Sequence, residues 1–306
     1  MEDQAPADAV FGLLSDETRV DILRSIAVAE SEHDVVNPGP AVLSFSEIYD
    51  RVDVDNTSKL SYHLGELTET FLRKSEEGYS FTHAGEQLVR FVLSKNYREP
   101  TGFEPQPTSG RCVYCGERTL VAHLHHQYFQ IECASCEHPV SAFPVTPAQV
   151  RSWTDDDFVA AVTQKQAIDY EQIRRGMCPA CTGRLSTEIT TVPEGLLPDS
   201  LRHLVVDRCR ECLRRYNSPL TYKVAYHPVS VAFHWDRGID VTSKGLWEFH
   251  DDVYEGRWTS ERISTESEEY EIVLRLDGDL LRVRLDSSAT VTHTERVRGS
   301  RPSDRD

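Results

Sequence analysis

Between Leu60 and Phe71 the apolar positions are Leu60, Leu64, Leu67 and Phe71, the i, i+4, i+7, i+11 spacing of one helical stripe. The opposite face carries Ser58, Lys59, Tyr62 and Gly65 in its first turns, then Glu66 and Glu69. Upstream, "FGLLSDETRVDILRSIAVAE" predicts another helix, with Val20, Leu23 and Ala27 on one stripe, Ile22 and Ile26 beside it, and Ser15 as N-cap. "ESEHDVVNPGPAV" (30–42) interrupts the pattern with Pro and Gly and predicts a loop; "SFSEIYDRV" predicts a short helix entered from a Ser cap. Downstream, Gly78 lies between Leu72 and Phe81, as in a two-stranded hairpin with a tight turn.

The segment "EPTGFEPQPTSG" (99–110) has three Pro and two Gly and predicts a linker. Residues 145–176 read as helical, with Thr146 before Pro147, a second start at Thr154 and a stop at Gly176. Phe158, Ala161, Val162 and Ile168 suggest a dimer, interdomain or ordinary packing face there. "HPVSVAFHWDRG" fits a short helix better than a strand. "YEIVLRL-DG-DLLRVRL" predicts a hairpin around Asp277-Gly278, with Leu274 facing Leu281, Ile272 facing Val283 and Tyr270 facing Leu285.

These elements predict an α+β protein. Residues 1–98 form a helical unit with a hairpin, 99–110 a linker, and 111–221 two cysteine-bearing modules joined by the helix 146–176. Residues 222–296 form a small α+β segment with a hairpin, and 297–306 a disordered tail.

Cysteine usage gives the middle region its chemistry. All eight cysteines fall in CxxC pairs: Cys112 and Cys115, Cys133 and Cys136, Cys178 and Cys181, Cys209 and Cys212. The first two pairs are 17 residues apart and the last two 27. Two such turns on adjacent hairpins supply four thiolates to a tetrahedral cation, so two structural Zn²⁺ sites are expected. A thioredoxin-like role needs a βαβ context that neither quartet has. Gly116 and Gly183 stand where the chain must reverse. His123, His125 and His126 are better read as surface or hydrogen-bonded histidines than as ligands, and His138 is not needed as one.

Charge changes the picture again. Fifty acidic residues against 33 basic ones give −17, and only six of the basic residues are Lys. An evenly acidic, Lys-poor composition suits molar salt, where the Debye length falls to about 3 Å and repulsion from other polyanions is largely screened. No apolar run is long enough to span a membrane and the acidic N-terminus lacks the order of a secretory signal, so a cytoplasmic location is expected. No Gly-rich phosphate loop, nucleophile elbow or HExxH stands out, so no enzymatic activity is expected.

In order and spacing, "FGLLSDETRVDILRSI", "SFSEIYDRVDVD", "KLSYHLGELTETFLRK" and "YSFTHAGEQLV" resemble the arsenic-repressor-like winged-helix regulators, over residues 7–95 and most closely in their halophilic archaeal form. The resemblance implies a winged helix-turn-helix that binds double-stranded DNA as a homodimer. Asn56, Thr57, Ser58, Lys59, Ser61, Tyr62 and His63 would lie at or beside the major groove, with Arg73 and Lys74 at the base of the wing. The founding members sense metals through a Cys motif before the reading helix. Here that segment is "SFSEIYDRV" and no Cys precedes residue 112, so thiolate sensing by this unit is not expected. "GMCPACTGRL" and "AYHPVSVAFHWDRGID" resemble a region joined to such winged helices in halophilic archaea, which supports the architecture and leaves its role open, with a protein partner as one possibility. The alternative function is a transcription adaptor that docks on RNA polymerase or another protein and reads no DNA sequence.

Overall fold

The computed structural model describes residues 7–32, 41–264, 266 and 268–299; most of the predicted 30–42 loop and of the predicted tail lie outside them. The chain divides into two units, Met1–Glu99 and Pro100–Asp306. Among the described residues, no helix is long and apolar enough to cross a membrane.

In the first unit, α1 (Ala7–Gly12) leads through a short 3-10 turn into α2 (Glu17–Ser31). The N-cap of α2 is Asp16, not Ser15. Asp16 accepts from the Arg19 amide, while Ser15 closes the preceding turn. Helix α3 (Phe45–Tyr49) starts at the expected Ser44, whose hydroxyl accepts from Glu47 N while Glu47 reaches back to Ser44 N. Helix α4 (Thr57–Leu67) is followed by β1 (Leu72–Lys74), β2 (Tyr79–Phe81) and α5 (His83–Leu93). The strands pair antiparallel with Leu72 opposite Phe81. Leu60, Leu64, Leu67 and Phe71 are buried against Ile22, Leu23, Ile26, Ile48 and Val89, so the stripe read from the sequence is the core face.

Gly78 turns the hairpin at φ +149°. A Cβ there would stand 2.1 Å from the Leu43 carbonyl oxygen, which accepts from Tyr79 N. Gly78→Ala is therefore expected to destabilise this unit by about 3 kcal/mol, read as a lower melting transition of residues 1–99.

The second unit contains three antiparallel sheets. The first is β3 (Gln106–Pro107), β4 (Leu120–His125), β5 (Tyr128–Cys133) and β6 (Pro139–Pro144) in that order. Helices α6 (Pro147–Ser152) and α7 (Asp155–Arg174) follow, capped by Thr146 and Thr154 as expected, with Gly176 at φ +75° just beyond. The second sheet is β7 (Leu185–Thr191), β8 (His203–Cys209) and β9 (Arg215–Pro219). Then come α8 (Pro228–Trp235), α9 (Phe249–Tyr254), and a four-stranded meander of β10 (Trp258–Ser264), β11 (Glu269–Leu276), β12 (Asp279–Leu285) and β13 (Val291–Val297). The predicted register is met in full: Leu274 opposite Leu281, Ile272 opposite Val283, Tyr270 opposite Leu285. Asp277 (φ 51°) and Gly278 (φ 83°) both turn left-handed, as a type I′ turn requires.

Three expectations need correction. The segment 99–110 is not a free linker beyond its first residues. Phe103 is buried between Phe129 and Phe158, and Gln106–Pro107 pairs with β4. Residues 222–296 do not stand apart from 111–221 either. Trp247 is buried in the first module beside Phe129 and Phe143, its Nε1 donating to Thr108 Oγ1, and Leu246 N donates to Gln166 Oε1 of α7. Residues 297 and 299, assigned to the tail, are instead ordered: Val297 pairs with Leu280 and Gly299 N donates to Asp279 Oδ1.

Phe158, Ala161 and Val162 lie inside this unit, so α7 packs inward; Ile168 alone of the four named positions is exposed. The interior also holds charge. Lys223 Nζ lies 3.0 and 3.1 Å from the Asp207 oxygens, both side chains are buried, and Thr187 Oγ1 donates to the same carboxylate.

His250 is buried, stacks on Tyr222 and donates from Nδ1 to the Arg111 carbonyl. Burial pushes its pKa from 6.5 down to about 4. The unfolded chain then binds the proton first, so this stability is whole above pH 6.5 and is lost as pH falls toward 4, by about 3 kcal/mol in all. Denaturant titrations of the metal-loaded protein should show that slope between pH 7 and 5, and His250→Gln should flatten it.

Candidate metal centres and nucleic-acid interface

The four CxxC turns share one local design. In each, the amide of the first Cys donates to the carbonyl five residues on: Cys112 to Glu117, Cys133 to His138, Cys178 to Gly183, Cys209 to Arg214. The residue after each second Cys is left-handed: Gly116 (φ 78°), Glu137 (58°), Thr182 (59°) and Leu213 (62°). In the second quartet the reversal is thus made at Thr182, one residue before Gly183.

These turns place four Sγ atoms within 4.8 Å of one another twice over, Cys112, Cys115, Cys133 and Cys136 in one group and Cys178, Cys181, Cys209 and Cys212 in the other. Individual separations are 3.6 Å for Cys112–Cys136 and Cys115–Cys133, 3.7 Å for Cys178–Cys212 and 3.4 Å for Cys181–Cys209. Sulfurs at 2.3 Å around a tetrahedral cation stand roughly 3.8 Å apart, so both groups have the size of a four-thiolate site. Two four-cysteine groups of this geometry could hold two metal ions. Among the described residues no His, Asp or Glu cluster of the same compactness occurs. His123 lies 3.4 Å from Glu132, His125 packs edge-on against His126, and His138 donates to the Cys136 carbonyl.

Two side chains that the sequence reading did not single out tune the thiols. Thr119 Oγ1 lies 3.4 Å from Cys133 Sγ, and Tyr216 OH lies 3.3 Å from Cys178 Sγ. Burial pushes the Cys133 thiol up, but the Thr119 hydroxyl and the Cys136 and Ser135 amides outweigh it and bring it to about 6. Burial at Cys178 is likewise outweighed by the Tyr216 hydroxyl and the Ala180 and Cys181 amides, again giving about 6. Burial dominates at Cys112, which rises to about 12. Each group therefore contains a thiol shifted toward its thiolate form, and in the second group the Cys212 amide lowers Cys209 as well. Thr119 and Tyr216 each stand four residues after the second Cys of a pair and serve the first Cys of the other pair, a spacing visible in the sequence once the role is known.

The predicted DNA-facing residues lie in the first unit. Asn56 caps α4, its Oδ1 accepting from Lys59 N at 2.9 Å. Asn56, Thr57, Ser58, Lys59, Ser61 and Tyr62 are all exposed on the first two turns. Arg73 and Lys74 are exposed on β1, with Lys74 Nζ 5.7 Å from the Tyr79 ring centre. His63 departs from the expectation. It is only 3% exposed, because position 63 is three residues after Leu60 and four before Leu67 and so turns toward the core. Its Nδ1 is 3.8 Å from Asp16 Oδ1, so the ring faces the interior of the unit and not solvent. Arg19, also unforeseen, is buried beneath Tyr62, with its guanidinium 5.8 Å from that ring and bonded to Glu66 at 3.3 Å. Lys59 Nζ pairs with Asp55 at 3.0 Å.

Fold and site together define a two-unit α+β protein: a helical unit with an exposed helix start, and a three-sheet unit carrying two four-cysteine groups. A family model described as a domain of unknown function, DUF7351, matches residues 109–291, more than half of the chain, and the chain belongs to that family. A second, DUF7347, also a domain of unknown function, matches residues 6–92. The two matches fall on the two structural units. No curated protein and no solved structure matches the chain significantly.

Proposed function

We propose that this chain is a sequence-specific DNA-binding transcription regulator, built from a winged helix-turn-helix and two zinc ribbons and acting in concentrated salt. The observation that carries the reading is the exposed start of α4. Six hydrogen-bonding side chains, Asn56 to Tyr62, occupy its first two turns while its other face fills the core. A recognition helix contacts base edges with its N-terminal residues, and the partial positive charge of that end attracts phosphate. The order α2, α3, α4, β1, β2, α5 is the one a winged helix-turn-helix needs, and Arg73 and Lys74, exposed on β1, would meet backbone phosphates. The net charge of −17 opposes DNA binding in dilute buffer and is screened in molar salt.

Zinc is the metal proposed for both four-cysteine groups, since four thiolates in CxxC pairs form the usual closed, structural zinc site. Elemental analysis of the purified chain should give two zinc ions per molecule. Binding as a homodimer to a two-fold operator is part of the same reading. Genome-wide occupancy in cells tests it: discrete sites sharing a two-fold sequence are expected, and uniform coverage would remove it.

The acidic side chains near α4 favour a second reading. Lys59 is paired with Asp55, and Glu66 and Glu69 follow on the exposed face. Such a surface suits a protein partner, so the chain would then be an adaptor on RNA polymerase or another protein. Recovery of polymerase subunits at high salt without a DNA footprint would select this reading.

A further inference from the structure

Where β6, α7 and the turn before β9 meet, the second unit has a half-open cleft of about 500 Å³. That is within the range of small-molecule sites, and the two cysteine-bearing modules form its opposite walls. The lining is mainly apolar: Phe143 and Val145 from the first module, Val162 and Ile173 from α7, and the rings of Tyr170 and Tyr216. Polar side chains stand among them, Gln149, Lys165, Gln166, Asp169, Arg214, Arg215 and Asn217. Gln166 is 4% exposed; its Oε1 accepts from Leu246 N, but its Nε2 has no hydrogen-bond partner. Leaving a buried amide donor unmet costs the fold its desolvation, and an acceptor brought by a ligand would recover that cost.

Charge narrows the class of ligand. Lys165 and Asp169 on the wall pair with each other. Arg215 donates to Asn217, and half-buried Arg214 has no acidic partner among the described residues. The cleft thus carries a net positive charge in a chain of −17. An apolar body with one carboxylate would fill the walls and meet both the guanidinium and the amide.

We propose that this cleft is a binding site for a small apolar carboxylate, aromatic or branched aliphatic, held by Arg214 and Gln166. The site is independent of DNA binding and needs only the folded second unit. Tyr216 joins it to the second metal group, since one side chain both lines the cleft and contacts Cys178 Sγ.

The test uses the full, metal-loaded chain in molar potassium chloride with phenylacetate and isovalerate as probes, and phenethyl alcohol and phenethylamine as matched neutral and cationic controls. Ligand-observed NMR should show saturable binding of at least one carboxylate, tighter than that of either control. Arg214→Gln should weaken it about tenfold or more. Ala142→Trp, which places a ring on an exposed position of the wall, should abolish it while circular dichroism stays unchanged. The proposal is overturned if neither carboxylate saturates below about 10 mM, if the controls bind equally well, or if both variants bind like the parent.

Discussion

Removing the metal from either four-cysteine group is expected to unfold much of residues 100–306 and to leave residues 1–99 folded. The second group shows why. The buried cluster around it is Ile173, Cys178, Leu185 and Cys209 with Tyr216 beside them, so half of its buried members belong to the four-cysteine group itself. In the first group Cys112 and Cys133 are buried in the cluster formed by Phe129, Phe158 and Trp247. Without a cation, the four sulfurs within 4.8 Å of one another lose the centre that ties the two CxxC turns of each group together. A structural zinc site contributes on the order of 10 kcal/mol, comparable to the whole stability of a domain. Cys178→Ser or Cys112→Ser, or chelation under reducing conditions, should therefore expose the amides of β4–β9 to hydrogen exchange. The first unit has its own core around Ile22, Leu60 and Leu64 and should keep its protection. Unchanged exchange in residues 100–306 after verified metal loss would show that the groups are not structural.

The double variant Lys59→Ala, Tyr62→Ala is expected to weaken operator binding about a thousandfold, near 4 kcal/mol, without lowering the melting temperature. Tyr62 is 58% exposed, and neither side chain belongs to the core. The Lys59–Asp55 pair does not lock the lysine away. Both side chains face solvent, where such a pair is worth at most about 1 kcal/mol and less in molar salt. Arg19 beneath Tyr62 would stay bonded to Glu66 in the variant, so loss of affinity can be assigned to the missing ring and cation. Fluorescence anisotropy on the operator in molar potassium chloride measures it; equal affinity for parent and variant would remove α4 as the reading element.

Local periodicity and turn chemistry made much of this fold legible in the sequence. Tyr270, Ile272 and Leu274 alternate with polar residues and Asp277-Gly278 fixes the turn, so even the register could be read. The CxxC spacing likewise identified both thiol groups. Strands β10 and β13 escaped notice because "WTSERIS" and "VTHTERV" are edge strands with mostly solvated side chains and carry little apolar alternation. The Pro and Gly of 99–110 suggested a linker, yet Pro is compatible with a short edge strand, and the burial of Phe103 is a tertiary effect. His63 was misplaced for a related reason. A residue type that suggests surface chemistry occupied a position whose helical phase belongs to the core. The cleft, the buried Lys223–Asp207 pair and the placement of Trp247 all join segments far apart in sequence, and no local pattern announces them.

The adaptor reading keeps the same fold and metals but assigns the acidic flank of α4 to a polypeptide. The two readings diverge on whether duplex DNA is bound at all when long-range repulsion is screened. The decisive measurement is selection of genomic duplex fragments by the purified, two-zinc chain in molar potassium chloride, followed by sequencing. Enrichment of fragments that share a common site, lost in the Lys59→Ala, Tyr62→Ala variant, is the predicted result. Failure to enrich any fragment at that salt, with metal content and folding verified, would contradict DNA recognition by this protein.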